Sequence, residues 1–75
     1  MVREKIREIL LKCGIEENNI ECEDYIKREL LDSIMMAEII IEIEDLFNIT
    51  IDGEDIIPEY FTNLDAIVKL VDKSI

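Results

Sequence analysis

Asp32 and Ser33, an acidic and a hydroxyl side chain side by side, are the residues best placed to do chemistry, and they stand at the head of a long amphipathic run. A helix start leaves backbone N–H groups without intrahelical partners and carries the positive end of the helix dipole. A hydroxyl there suits a phosphate, either bound beside the serine or carried covalently on it. Nucleophilic catalysis asks for something else. A serine needs a base to accept its proton, and the 75 residues include no His, which excludes a Ser-His-Asp triad. Lys27 and Arg28 are nearby in sequence, but Arg stays protonated and a solvated Lys is a poor base. The expectation is therefore that the chain is not an enzyme. Taken alone, Asp-Ser also reads as a plain helix cap, because both residues are favoured there.

Other chemistry is scarce. Asp52-Gly53-Glu54-Asp55 is acidic, but it lacks the alternating acids before Gly and the later Glu of an EF-hand loop. It reads as a solvated turn, and no metal site is expected. Cys13 continues an apolar stripe, whereas Cys22 lies among acids as a bystander. Two cysteines in this pattern do not make a zinc site.

The charge balance narrows the partners. Nineteen acidic residues against eight basic ones give a net charge of -11. Nucleic-acid and anionic-membrane binding both need excess Lys and Arg and are disfavoured. Basic protein surfaces are favoured partners. With no signal peptide legible and no apolar run near the roughly 20 residues that span a bilayer, the expected location is cytoplasmic. The expected organisation is one domain over residues 1–75, acting as a monomer.

Three stretches have helical periodicity. The first is Val2 to Cys13, with Val2, Ile6, Ile9, Leu10 and Cys13 on one face and Gly14 as its stop. The second is Ser33 to Phe47. Its core arc gathers Met36, Ile39, Ile40, Ile43, Leu46 and Phe47. Its outward arc holds Ile34, Ala37, Glu38, Ile41, Glu44 and Asp45, apolar groups mixed with acids. Exposed apolar groups at helical spacing beside the serine call for a docking partner. The third is Leu64 to Val71, with Leu64, Ile67, Val68 and Val71 on one face and Thr62-to-Asp65 as a capping box. Between the first two, Ile15 to Leu31 forms a long connection, a length that usually signals function. Ile49-Thr50-Ile51 reads as an extended packed loop, and Glu54 to Phe61 as a short helix limited by Pro58.

With these residues in view, the chain resembles the acyl carrier proteins. The resemblance runs through Asp32-Ser33-Ile34, Glu38-Ile39-Ile40-Ile41 and Ile43-Glu44-Asp45-Leu46-Phe47, and the flanking elements follow in the same order. It implies an all-α fold, a small four-helix bundle with a long loop between helices one and two and a short third helix. It implies a 4′-phosphopantetheine arm attached at Ser33, with Asp32 beside it as part of the cofactor site. The implied role is to carry acyl or aminoacyl groups as thioesters between enzymes of fatty-acid, polyketide, peptide or related biosynthesis. A phosphopantetheinyl transferase and the loading and processing enzymes would dock on Ile34, Ala37, Glu38, Ile41, Glu44 and Asp45. The Leu30-Leu31 entry and Met35 differ from fatty-acid carriers. The Leu-Leu-Asp-Ser entry looks more like that of the D-alanyl carrier proteins of teichoic acid modification, or of stand-alone carriers of specialised pathways. A rival reading needs no arm: an acidic helical adaptor in which Ser33 caps a helix.

Overall fold

The computed structural model describes residues 2–75. Helix α1 spans Val2–Cys13 and buries Ile6, Ile9 and Leu10. It stops at Gly14, whose φ of 115° favours a residue without a Cβ. The Gly14 N–H donates to the Leu11 carbonyl at 3.2 Å and the Ile15 N–H to the Leu10 carbonyl at 3.0 Å. This paired capping arrangement satisfies carbonyls the helix leaves open.

Helix α2 spans Ser33–Phe47 and buries Ile39, Ile40 and Ile43. Asn48 follows in the left-handed region, with φ 53°. Met36 and Phe47 pack against the core but stay half-buried. Leu46, expected on the core arc, instead faces solvent at 49% exposure. It lies at the edge of the apolar arc near the helix end, where the neighbouring layer no longer covers it.

Helix α3 spans Leu64–Ser74, three residues beyond the Val71 limit read from periodicity, and buries Leu64, Ile67, Leu70 and Val71. Its cap is Asn63, whose side chain accepts from the Ala66 N–H at 2.9 Å. Thr62 does not cap it. The Thr62 hydroxyl turns back and donates to the Pro58 and Glu59 carbonyls at 3.1 and 3.2 Å. Helix α1 packs against both α2 and α3, so it is the shared wall of the core.

The four-helix expectation needs correction: the described residues form three α-helices. In place of a short helix over Glu54–Phe61 stand two 3₁₀ turns, Gly53–Asp55 and Pro58–Phe61. The cause is Pro58. A proline pushes the preceding residue out of the helical region, and Ile57 is extended at φ -130°, ψ 154°. Pro58 then opens the second turn, where its missing N–H costs nothing.

The connection from Ile15 to Leu31 is anchored through Ile15, Ile20, Tyr25 and Leu31, all buried. Tyr25 is the main anchor. Its hydroxyl donates to the Ile20 carbonyl, and its N–H donates to the Thr62 carbonyl at 2.6 Å. A single helical turn follows. The Asp24 carboxylate caps it by accepting from the Ile26 and Lys27 N–H groups at 3.0 and 2.9 Å. Glu29 ends it in the left-handed region at φ 58°. Cys22 is less of a bystander than its acidic neighbours suggest, being half-buried against the core, as is Cys13. Arg3 joins Glu21 at 2.8 Å and also Asp65 across the surface, an exposed arrangement that contributes little stability.

Candidate functional site: the start of helix α2

The two residues of the Asp-Ser pair have separate tasks. Asp32 is extended at φ -122°, ψ -179°, and its carboxylate accepts from the Met35 N–H at 2.8 Å. Asp32 is therefore the N-cap, and its backbone carbonyl also accepts from the Met36 N–H at 3.0 Å. Ser33 is the first helical residue and is exposed. The capping duty that would have occupied the serine falls to its neighbour. A group on the Ser33 oxygen would meet the positive end of a 15-residue helix. The exposed hydroxyl thus gives a phosphodiester access to the start of the helix.

Beyond the serine, α2 displays apolar groups to solvent. Ile34 is 70% and Ile41 63% exposed, and Ala37 is exposed between them. Glu38 and Asp45 are exposed beside this stripe. Glu44 stands apart from them. It is half-buried, and its carboxylate accepts from the Ile51 N–H at 2.8 Å. That bond ties the Ile49-Thr50-Ile51 segment to the end of α2, so Glu44 acts as a structural acceptor rather than as part of the displayed face. On the opposite edge, Lys12 reaches Glu42 at 3.0 Å.

An open groove of about 390 Å³ runs from Ser33 along α2 between Met36, Ala37, Ile40 and Ile41, with Ile56 as its far wall. Among the described residues that line it, Ser33 has the only polar side chain. Ile56 was not singled out from the sequence as part of the site. The available signal was the Ile56-Ile57 pair stranded between an acidic turn and Pro58, an apolar couple with no helix to belong to.

Cys13, a second nucleophile on the α1–α2 side, shares a shallow surface depression with Lys12, Glu38, Ile41 and Glu42. Burial pushes its thiol pKa up from the ordinary 9.0, and the Glu38 and Glu42 charges push it further. The thiol is thus kept protonated and a weak nucleophile at neutral pH. Among the described residues, no group of three or more His, Cys, Asp or Glu side chains comes together as a metal site. No helix among them is long and apolar enough to cross a membrane.

Comparison with known proteins agrees with this geometry. No individual curated protein matches the chain at a significant level. The sequence pattern of the phosphopantetheine attachment site family, by contrast, matches residues 2–71, which takes in α1, the whole site and most of α3. On that match, joined to an accessible serine at a capped helix start, the chain belongs to the phosphopantetheine attachment site family, the acyl-carrier-type proteins that bear a covalent 4′-phosphopantetheine.

Proposed function

We infer that Ser33 is the residue that bears the arm, and that the chain carries acyl intermediates between partner enzymes as thioesters. The observation that carries this reading is the division of labour at α2: Asp32 caps the helix, and the Ser33 hydroxyl is left exposed. In the rival adaptor reading, which uses Ile34, Ala37 and Ile41 purely for protein binding, Ser33 stays unmodified and merely caps the helix, whereas the capping bond is made by Asp32.

Loading exchanges one bond for another. The Ser33 oxygen bonds to the phosphorus that bears pantetheine in coenzyme A. The pyrophosphate bond breaks, the adenosine bisphosphate half leaves, and the hydroxyl proton passes to a base on the transferase. The chain has no His to serve as that base, and its Asp32 carboxylate accepts from the Met35 N–H. When bound, the group supplies a thiol on a flexible tether, which holds cargo and raises its effective concentration at each partner. The chain supplies an address. Ile34, Ala37 and Ile41 give a contact stripe, and Glu38 and Asp45 steer basic partners toward it. The apolar lining of the groove favours an aliphatic acyl cargo over an aminoacyl one, whose ammonium would have no counter-group there.

The test is intact mass after incubation with coenzyme A and a promiscuous phosphopantetheinyl transferase. One arm per wild-type chain and none on Ser33→Ala is the expected result. A wild-type chain that stays unmodified, or a Ser33→Ala variant that still gains mass, overturns the assignment.

A further inference from the structure

The far wall of the groove is weakly held by the core. Between Ile51 and Phe61, both buried, no residue is fully buried. Ile56 itself is 39% exposed, and its backbone rests on a single short turn, its N–H donating to the Gly53 carbonyl at 3.2 Å. The hydrophobic effect alone gives this segment little reason to keep one position.

A polar latch compensates. Asp55, immediately before Ile56, has a side chain only 17% exposed, and its carboxylate accepts from the Lys73 ammonium at 2.8 Å. The same ammonium lies 3.4 Å from the Tyr60 hydroxyl and 5.4 Å from the centre of the Tyr60 ring, within reach of a cation–π contact. Lys73 belongs to the last turn of α3, whose buried stripe fixes it to the core. The latch thus connects a rigid helix to both sides of Ile56, through Asp55 before it and Tyr60 after it. An ion pair with one partner largely withdrawn from water is less screened than the other surface pairs of this chain.

We propose that Lys73, acting through Asp55 and Tyr60, is a positioning residue for the groove at Ser33, holding Ile56 as the wall against which an aliphatic cargo rests. This rests on the carrier reading for the cargo, although the latch itself is testable without any arm. The occupant is an aliphatic acyl chain. The groove begins at the tether point, and its remaining lining is entirely apolar.

The experiment has two arms. In the unmodified protein, amide exchange is followed residue by residue in wild type, Lys73→Gln, Lys73→Arg and Asp55→Asn. Exchange at Asp55 and Ile56 is expected to accelerate several-fold in Lys73→Gln and Asp55→Asn, with α1 and α2 unchanged. Lys73→Arg, which keeps the charge, should stay near wild type. In the second arm, wild type and Lys73→Gln are loaded from octanoyl- or acetyl-coenzyme A, and the isoleucine methyl resonances are compared. The octanoyl group should shift the Ile56 methyls in wild type and lose most of that shift in Lys73→Gln. The acetyl group should shift them in neither. Unchanged exchange at Asp55 and Ile56 in Lys73→Gln overturns the latch. An octanoyl shift at Ile56 that survives Lys73→Gln, or is absent from wild type, overturns its role toward cargo. A wild-type chain that takes no arm at all fails at the earlier mass measurement and overturns the carrier reading, while the exchange arm still decides the latch.

Discussion

Helices α2 and α3 begin in the same way and end up serving different purposes. Asp32 and Asn63 are both extended caps, and each accepts from the N–H three residues on, at 2.8 and 2.9 Å. The next residue separates them. Ser33 is exposed, whereas Leu64 is 2% exposed. From there α3 turns Leu64, Ile67, Leu70 and Val71 into the core. Helix α2 leaves Ile34 and Ile41 in water. Two well-capped starts with the same dipole thus carry opposite faces. The site is defined by what α2 declines to bury, and a helix start alone does not make one.

The contrast breaks most completely at Ser33. Ser33→Ala should remove all mass gain on treatment with transferase and coenzyme A, yet shift unfolding free energy by no more than about 0.5 kcal/mol, as befits an exposed residue that is not the cap. A loss of a kilocalorie or more in urea denaturation would show that the serine shares the capping role. The next largest effect concerns approach. Reversing Glu38 and Asp45 to Lys should slow the transferase several-fold at low salt and flatten its salt dependence, because attraction to a basic partner is what salt screens. Equal reversals at Asp65 and Asp72, exposed on α3, should leave the rate nearly unchanged; equal slowing from both helices would dissolve the distinction.

The caps themselves sharpen the comparison. Asp32→Ala and Asn63→Ala should each cost about 0.5–2 kcal/mol. Asn63→Ala should lie higher, because its side-chain amide also donates to the Glu23 carbonyl at 3.1 Å. Asn63→Asp keeps the cap but sets a carboxylate oxygen against the Glu23 carbonyl in place of the donor, so its melting temperature should fall below that of wild type.

The smallest effect is alkaline. Burial raises the Cys13 thiol above its ordinary 9.0, with Glu38 and Glu42 adding to it. Burial likewise raises the Tyr25 phenol well above 10.0. The unfolded chain releases these protons at the ordinary values, so it binds fewer protons than the native state as pH climbs past them, and stability falls. The melting temperature should decline from about pH 9 upward, and Tyr25→Phe should decline less steeply above 10.0. Parallel curves for the two proteins would rule out the phenol as a contributor.

Much of this was legible in the sequence because it is local. The bounds of α1 and α2 follow from periodicity and from Gly14 and Asp32, whose effects reach only a few residues. The exposed stripe on α2 follows from the same periodicity. What escaped depends on distant partners. Glu44 and Asp45 look alike along the helix, and only the arrival of the Ile51 N–H separates them. Thr62 and Asn63 are both plausible caps. The choice was made by the Pro58 and Glu59 carbonyls, which draw the threonine hydroxyl away. Ile56 could not be joined to Ser33 from spacing, because that neighbourhood is created by the turn Pro58 forces and by Lys73 arriving from the last helix.

The assignment of the cap to Asp32 bears on how partners tell a loaded chain from an empty one. Since the cap at the head of α2 is made by Asp32, a substituent on the Ser33 oxygen would leave that capping bond in place. The two forms would then share one helix start, and at that start the news that loading has occurred would travel in the arm alone. An enzyme that must refuse the empty form can gain little from the shape of the helix; it has to feel for the thiol.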